Sequence, residues 1–246
     1  MLHVAHSDRG RPVVSPSASE GSDPSRCKSV ASSRSDGLSF RAATSRGGVV
    51  TRKGRALAGQ DGRDRATFLR SFVRDWRTIG SVTPSSRYLV GAMLDKIDFG
   101  KVRCVVEYGP GTGVFTAEIL RRLRPDGALL ALDTEAHFID DLREKFPDSR
   151  LIAVPGSAAA IKRHLAALDW DGAEVIISGI PYTAMPAELR EGILSASALA
   201  LAPGGQFIAY QYSPYIRPLL GHLYRRVETH WVARNVPPAF FFVCRH

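Results

Sequence analysis

Nothing in this sequence has the length or spacing of a membrane span or a metal centre. No apolar run approaches the roughly 20 residues that cross a bilayer, which argues against an integral membrane protein. The cysteines are only three, Cys27, Cys104 and Cys244, with neither C-x-x-C spacing nor a neighbouring histidine, and the histidines are equally scattered, so no metal site is expected. Acidic residues are in deficit, 24 Asp and Glu against 33 Lys and Arg, leaving a net charge of +9. That balance suits acidic partners, nucleic acid or an anionic membrane surface, without choosing between them. No internal repeat is visible. What remains is a chain of 246 residues, 44% hydrophobic, enough for one large domain and a tail.

Residues 1–62 form the tail. They are rich in Ser, Arg, Gly and Asp with almost no periodic apolar positions, so they cannot bury enough surface to offset their ordering entropy and are expected to be disordered. Asp8, Glu20, Asp23 and Asp36 argue against an organellar transit peptide. From residue 63 the pattern changes. Phe68, Leu69, Phe72, Val73, Trp76 and Ile79 recur at helical spacing with Arg65, Arg70, Arg74 and Arg77 between them, which predicts a basic amphipathic helix. Such a helix can lie in a membrane interface with its aromatics among acyl chains and its arginines at phosphates, or can pack on its own domain as a lid. After the turn Gly80 to Ser86, Tyr88 to Ile97 predicts a short helix, so that residues 63–100 form a cap over the site that follows.

The chain is organised around Val105 to Thr116. An apolar run of strand length carries Glu107, passes through Gly109, Gly111 and Gly113, and enters a helical pattern with Phe115, Ile119, Leu120 and Leu123. A strand, a tight turn and a helix follow. Glycines allow positive φ and close approach to a ligand, while the helix start offers free N–H groups and its positive dipole end. A second strand, Ala128 to Leu132, ends in Asp133, about 20 residues past the last glycine, where a nucleoside site wants an acid for ribose hydroxyls. The glycines alternate, Glu107-x-Gly109-x-Gly111-x-Gly113, and do not follow the dinucleotide spacing G-x-G-x-x-G.

Downstream, a helix over 136–146 is stopped by Pro147, and strands are predicted at 151–154, 174–178 and 206–212, with helices at 161–168 and 186–201 between them. Two further strand-like runs, 226–232 and 239–243, have no helix between them. This is a doubly wound, mostly parallel sheet with an antiparallel last strand, in a domain spanning residues 101–246.

The alternating glycines and the paired acids resemble motif I of the class I S-adenosylmethionine-dependent methyltransferases, which have a Rossmann-like seven-stranded sheet. That resemblance implies a cofactor site formed by Glu107, Gly109, Gly111, Thr112, Gly113 and Asp133, with Ser157 and Ala158 beside the adenine ring. From about Phe68 to Arg245 the chain is also similar to the bacterial phospholipid N-methyltransferases, relatives of the rRNA adenine dimethylases. The similarity rests on Phe68 to Phe72, Gly80 to Ser86, Ser178-Gly179-Ile180-Pro181-Tyr182, and Arg234 to Ala239. Adenine N6-methyltransferases carry an Asn or Asp two positions before the Pro-Tyr pair, to hold the exocyclic amine. Gly179 stands there, or Ser178 if the alignment shifts by one.

The resemblance therefore implies methyl transfer to the amine of a phosphatidylethanolamine-type headgroup, with RNA or a small amine as alternative acceptors. Tyr182, Pro181 and Tyr212 are the expected acceptor-side residues, with Tyr210 ranked below them. The enzyme would be cytoplasmic, held on the inner face of the membrane through Phe68, Leu69, Phe72, Trp76, Arg70, Arg74 and Arg77.

Overall fold

The computed structural model describes residues 87–246. The tail, the helix expected at Phe68 to Ile79 and the turn Gly80 to Ser86 lie outside the described residues. Within these bounds the chain runs α1 (Arg87–Leu94), β1 (Cys104–Tyr108), α2 (Val114–Arg122), β2 (Ala128–Asp133), α3 (Ala136–Lys145), β3 (Leu151–Pro155), α4 (Ile161–Ala166) and β4 (Ala173–Ser178). It continues through α5 (Ala187–Ala198), β5 (Leu201–Gln211), α6 (Arg217–Leu223), β6 (Arg226–Val232) and β7 (Ala239–Arg245).

The strands form one seven-stranded sheet in the order β3-β2-β1-β4-β5-β7-β6. β1 to β5 are parallel, and β7 is antiparallel to both β5 and β6. β1 and β2 are buried at every position, as expected for parallel strands covered on both faces, and this is why their sequences read as unbroken apolar runs. One face packs Val106, Leu130, Ile176 and Phe207 beneath α4, α5 and α6, and the other packs Val105, Leu129, Ile177 and Phe241 beneath α1 and α2. Leu89, Met93 and Leu94 of α1 are fully enclosed, so the described part of the expected cap is built into the second core layer.

Going outward from β1, the chain first adds β2 and β3 on one side and then crosses to add β4 and β5 on the other. The connections before and after this reversal leave in opposite directions, opening a crevice at the carboxyl ends of β1 and β4, where open α/β sheets bind ligands.

Three segments depart from the sequence expectations. β5 begins at Leu201, and Gly204, at φ +76, turns the backbone inside the strand where a start after the glycine pair was expected. A Cβ at Gly205 would lie 2.9 Å from the carbonyls of Ala173 and Ala202, so this second glycine lets the two strands close up where their register shifts. The preceding helix accordingly stops at Ala198. α6 has no counterpart in the expected order: its proline and glycine weaken the helical signal, while buried Leu220 and partly buried Leu219 and Leu223 tie it to the sheet.

Candidate active site

The turn after β1 has the backbone that its glycines predict: Gly109, Gly111 and Gly113 have φ of +66, +58 and +81. The Gly113 N–H donates to Pro110 O at 3.0 Å, and Gly109 N–H to Leu132 O at 2.9 Å, which seats the turn on the end of β2. Gly113 has a packing role as well. A Cβ there would fall 2.5 Å from Phe146 Cε2 and 3.0 Å from Leu142 Cδ1, so the start of α2 lies against the end of α3 only because the side chain is absent. Thr112 is exposed, and its carbonyl accepts from Lys145 Nζ at 2.7 Å.

Glu107 is buried, 2% exposed. Its carboxylate accepts from Thr116 Oγ1 at 2.7 Å and from the Thr116 N–H, bracing β1 against the first turn of α2. Burial is the main cause that pushes this carboxyl up to about 7, with the charge of Asp133 adding to it. Asp133, at the end of β2, has one oxygen oriented by the Glu135 N–H at 3.1 Å, while its own carbonyl accepts from Gly156 N at 2.7 Å. Ser157 and Ala158 follow directly. Ser157 Oγ accepts from Ala159 N at 3.2 Å, opening a 3-10 turn, and the Ala158 side chain points into the core. Gly156 leaves room for the His164 ring, since a Cβ would stand 2.5 Å from its Nε2.

Across the crevice, Gly179 N–H donates to Tyr108 O at 2.9 Å, so the loop after β4 lies directly on the glycine turn. A Cβ at Gly179 would sit 3.1 Å from Gly109 O and 3.6 Å from Tyr210 Cε1. Position 179 thus lacks a base-holding side chain and is also crowded against one. The one-residue shift does not restore an acceptor. Ser178 is fully buried, its Oγ 2.9 Å from Tyr182 Oη. Pro181 opens the 3-10 turn Tyr182–Ala184, where its carbonyl accepts from Ala184 N at 3.1 Å.

Tyr182, ranked first as the residue to face the acceptor, is fully enclosed in the core beside Tyr108, Met185 and Ile193, and burial raises its phenol well above the ordinary range. Its ring holds the loop from beneath. The tyrosines that reach the crevice are the two ranked after it. Tyr210 stacks on Phe115 at 5.9 Å, and Tyr212 meets Tyr210 edge-on at 6.2 Å. Tyr212 is 37% exposed and bonded to Asn235. The result is an aromatic wall formed by Phe115, Tyr210 and Tyr212 beside the loop after β4.

Two residues have positioning roles that the sequence patterns did not assign to them. Gln211, 4% exposed, donates from Nε2 to Ile180 O at 2.7 Å and accepts at Oε1 from Thr183 N at 3.4 Å, fastening the β4 loop to β5. Asn235 is 1% exposed and donates from Nδ2 to Pro237 O at 2.7 Å, holding the segment that carries the cis Val236–Pro237 bond beside Tyr212. The available signals were a glutamine between two tyrosines at the end of an apolar strand, for Gln211, and membership of the Arg234 to Ala239 stretch, for Asn235.

The chain is 31% identical over 183 residues to the ornithine lipid N-methyltransferase of Singulisphaera acidiphila, a match covering 72% of this chain and 94% of that one. The chain belongs to the bacterial lipid N-methyltransferases. No family model matches it. Among solved structures, human methyltransferase-like protein 13 in complex with S-adenosylhomocysteine aligns at TM-score 0.54 and 13% identity, over 65% of this chain and 82% of that one. The S-adenosylmethionine-bound magnesium protoporphyrin IX methyltransferase of Synechocystis aligns at 0.53 and 12%, over 78% and 100%. At these identities both report the fold, which is that of the class I methyltransferases.

This lipid N-methyltransferase uses S-adenosylmethionine, and its crevice fits that cofactor. The left-handed glycines leave the turn open to close approach, and Asp133 presents a fixed carboxylate at the neighbouring strand end. The cofactor supplies an electrophilic methyl group. Glu107, bonded to Thr116, braces the turn beneath it.

Proposed function

We propose that this lipid N-methyltransferase methylates the primary amine of a membrane-lipid headgroup, phosphatidylethanolamine being converted towards phosphatidylcholine. The observation that carries the reading is the glycine at position 179, where a nucleobase amine would need an Asn or Asp and where an added Cβ would stand 3.1 Å from Gly109 O. The aromatic wall opposite suits an amine that becomes a more substituted ammonium with each transfer. Phe115, Tyr210 and Tyr212 present π-faces and edges to that cation. No side chain has to break a bond. The chain's own work is to align a neutral nitrogen with the sulfonium methyl and to exclude water, so proximity and orientation account for most of the acceleration.

A bilayer-facing site is supported by the rim. Tyr212, Tyr215, Trp231 and Val236 are exposed, and all lie near the carboxyl ends of β5 and β6 or in the loops that follow them. Tyr88 joins them, with the guanidiniums of Arg87 and Arg234 lying over its ring at 5.2 and 5.4 Å. Apolar rings with arginines at one edge match an anionic lipid surface. The basic helix expected at Phe68 to Ile79 would extend the same contact on the inner face of the membrane. Among the described residues, no helix is long and apolar enough to cross it.

Ornithine lipid is the second reading, favoured by the name of the relative. Methyl transfer from labelled S-adenosylmethionine, run in parallel on vesicles containing either lipid and on unmodified ribosomal RNA, decides among the acceptors. Label is expected in lipid, and label confined to RNA would overturn the proposal.

A further inference from the structure

Arg190 on α5 is a buried cation without a counter-ion. The residue is 7% exposed, its Nε is enclosed with no hydrogen-bond partner, and among the described residues no carboxylate pairs with it. Its contacts are a 3.3 Å hydrogen bond from Nη1 to Met185 O and the ring of Tyr215, whose centroid is 5.2 Å from the guanidinium carbon. Burying a guanidinium that no anion balances is costly, so such a residue ordinarily has a carboxylate or phosphate to meet. Arg presents paired N–H donors that fit either group in a bidentate way.

Its position says which anion. Met185 belongs to the loop that carries Gly179 to Tyr182, and Met185 N–H donates to Tyr182 O at 3.3 Å. Tyr215 lies in the turn Pro214–Ile216 just beyond β5, three residues after Tyr212, and is 58% exposed. The two turns pack on each other. Arg190 therefore sits under the junction of the two loops that border the acceptor crevice, and Tyr215 is its side towards solvent.

Resting on the lipid reading above, we infer that Arg190 binds the anionic group of the substrate headgroup, with Tyr215 yielding to admit it while the amine is held at Tyr210 and Tyr212. Both candidate lipids carry a primary amine separated by a short chain from an anion, a phosphodiester in one and a carboxylate in the other. A guanidinium fits each. Arg190 thus selects for a zwitterionic headgroup over a simple amine.

The test uses the full chain and three acceptors in one neutral detergent: phosphatidylethanolamine, ornithine lipid and a long-chain primary alkylamine with no anion. For whichever zwitterionic lipid the enzyme accepts, Arg190→Met is expected to raise KM at least tenfold with kcat within twofold, and Arg190→Lys to recover part of that loss. The KM for the alkylamine is expected to stay within twofold. Equal losses on all acceptors, or no loss, would overturn the inference by making Arg190 a purely structural residue or an idle one.

If the unaltered enzyme methylates no lipid, the lipid reading fails on its own. Equilibrium dialysis of labelled dodecyl phosphate below its micelle concentration then still decides on the anion subsite. A tenfold weaker affinity in Arg190→Met upholds it, and equal affinity removes it.

Discussion

On the β1–β2 side of the crevice, the surface offered to a ligand is mostly backbone: three left-handed glycines, the start of α2 and one oriented carboxylate. On the β4–β5 side it is aromatic rings, held in place by polar side chains that are themselves buried. Shape on the cofactor side is set by the conformations the chain is allowed, and at Gly113 there is no room for a side chain. On the acceptor side shape is set by Gln211, which fastens the β4 loop to β5, and by Asn235, which bonds Tyr212, while the Ser178–Tyr182 bond braces the β4 loop from within. One side is specified locally, the other through contacts distant in sequence.

Substitutions can break or sharpen this contrast. The largest effect is expected from Gly113→Ala, which forces a side chain into a left-handed position and against Phe146. Together these cost about 2–5 kcal/mol, read as a lower urea midpoint, with loss of S-adenosylmethionine binding. A variant of near-native stability would mean that the turn is more pliant than its packing indicates. Gly179→Asn is expected to lose lipid methylation by at least about tenfold without gaining activity on RNA, because its Cβ crowds Gly109 O. A gain on RNA would show the acceptor side to be as locally specified as the cofactor side.

Asp133→Ala is expected to weaken cofactor affinity by about 10–100-fold through loss of charged hydrogen bonds, with little change in the KM for lipid; unaltered affinity in a binding titration would remove the ribose role. Tyr182→Phe is expected to lower stability by only about 1 kcal/mol, since it deletes the bond to Ser178 but keeps the ring. Its turnover should stay near that of the unaltered enzyme, and a collapse of kcat would return Tyr182 to the chemistry.

A pH dependence accompanies these effects. Because folding raises the Glu107 carboxyl from 4.5 to about 7, the native state keeps a proton that the unfolded chain releases. Its contribution to stability is therefore undiminished below the ordinary carboxylate value and declines as pH rises through about 7. Glu107→Gln should flatten the fall in thermal midpoint between about pH 5 and about pH 8. An unchanged slope would mean that Glu107 ionises freely.

This division explains what could be read in advance. The glycine turn, the parallel strands and Asp133 were legible because each is written in consecutive residues: an apolar run, alternating glycines, an acid at a strand end. The Pro181-Tyr182 loop was legible as a motif, but the direction of its ring was not. Whether Tyr182 faces the crevice or the core is decided by Tyr108 on β1 and Ile193 on α5, which lie far from it in the chain. α6 was hidden for a related reason, its few leucines gaining their meaning from the sheet they cover.

The placement of β7 bears on how the protein is made. The strand enters the sheet between β5 and β6, so the stretch synthesised last among the strands fills an interior slot. Until Ala239–Arg245 has been made, β5 presents an open edge and β6 has no neighbour to pair with. A ribosome-bound chain lacking that stretch would hold a complete glycine turn beside an unfinished acceptor wall, since Tyr210 pairs with Phe241 and Gln211 with Phe240. The acceptor wall is thus completed only with the strand that also supplies Phe241 and Phe242 to the two opposite layers of the core.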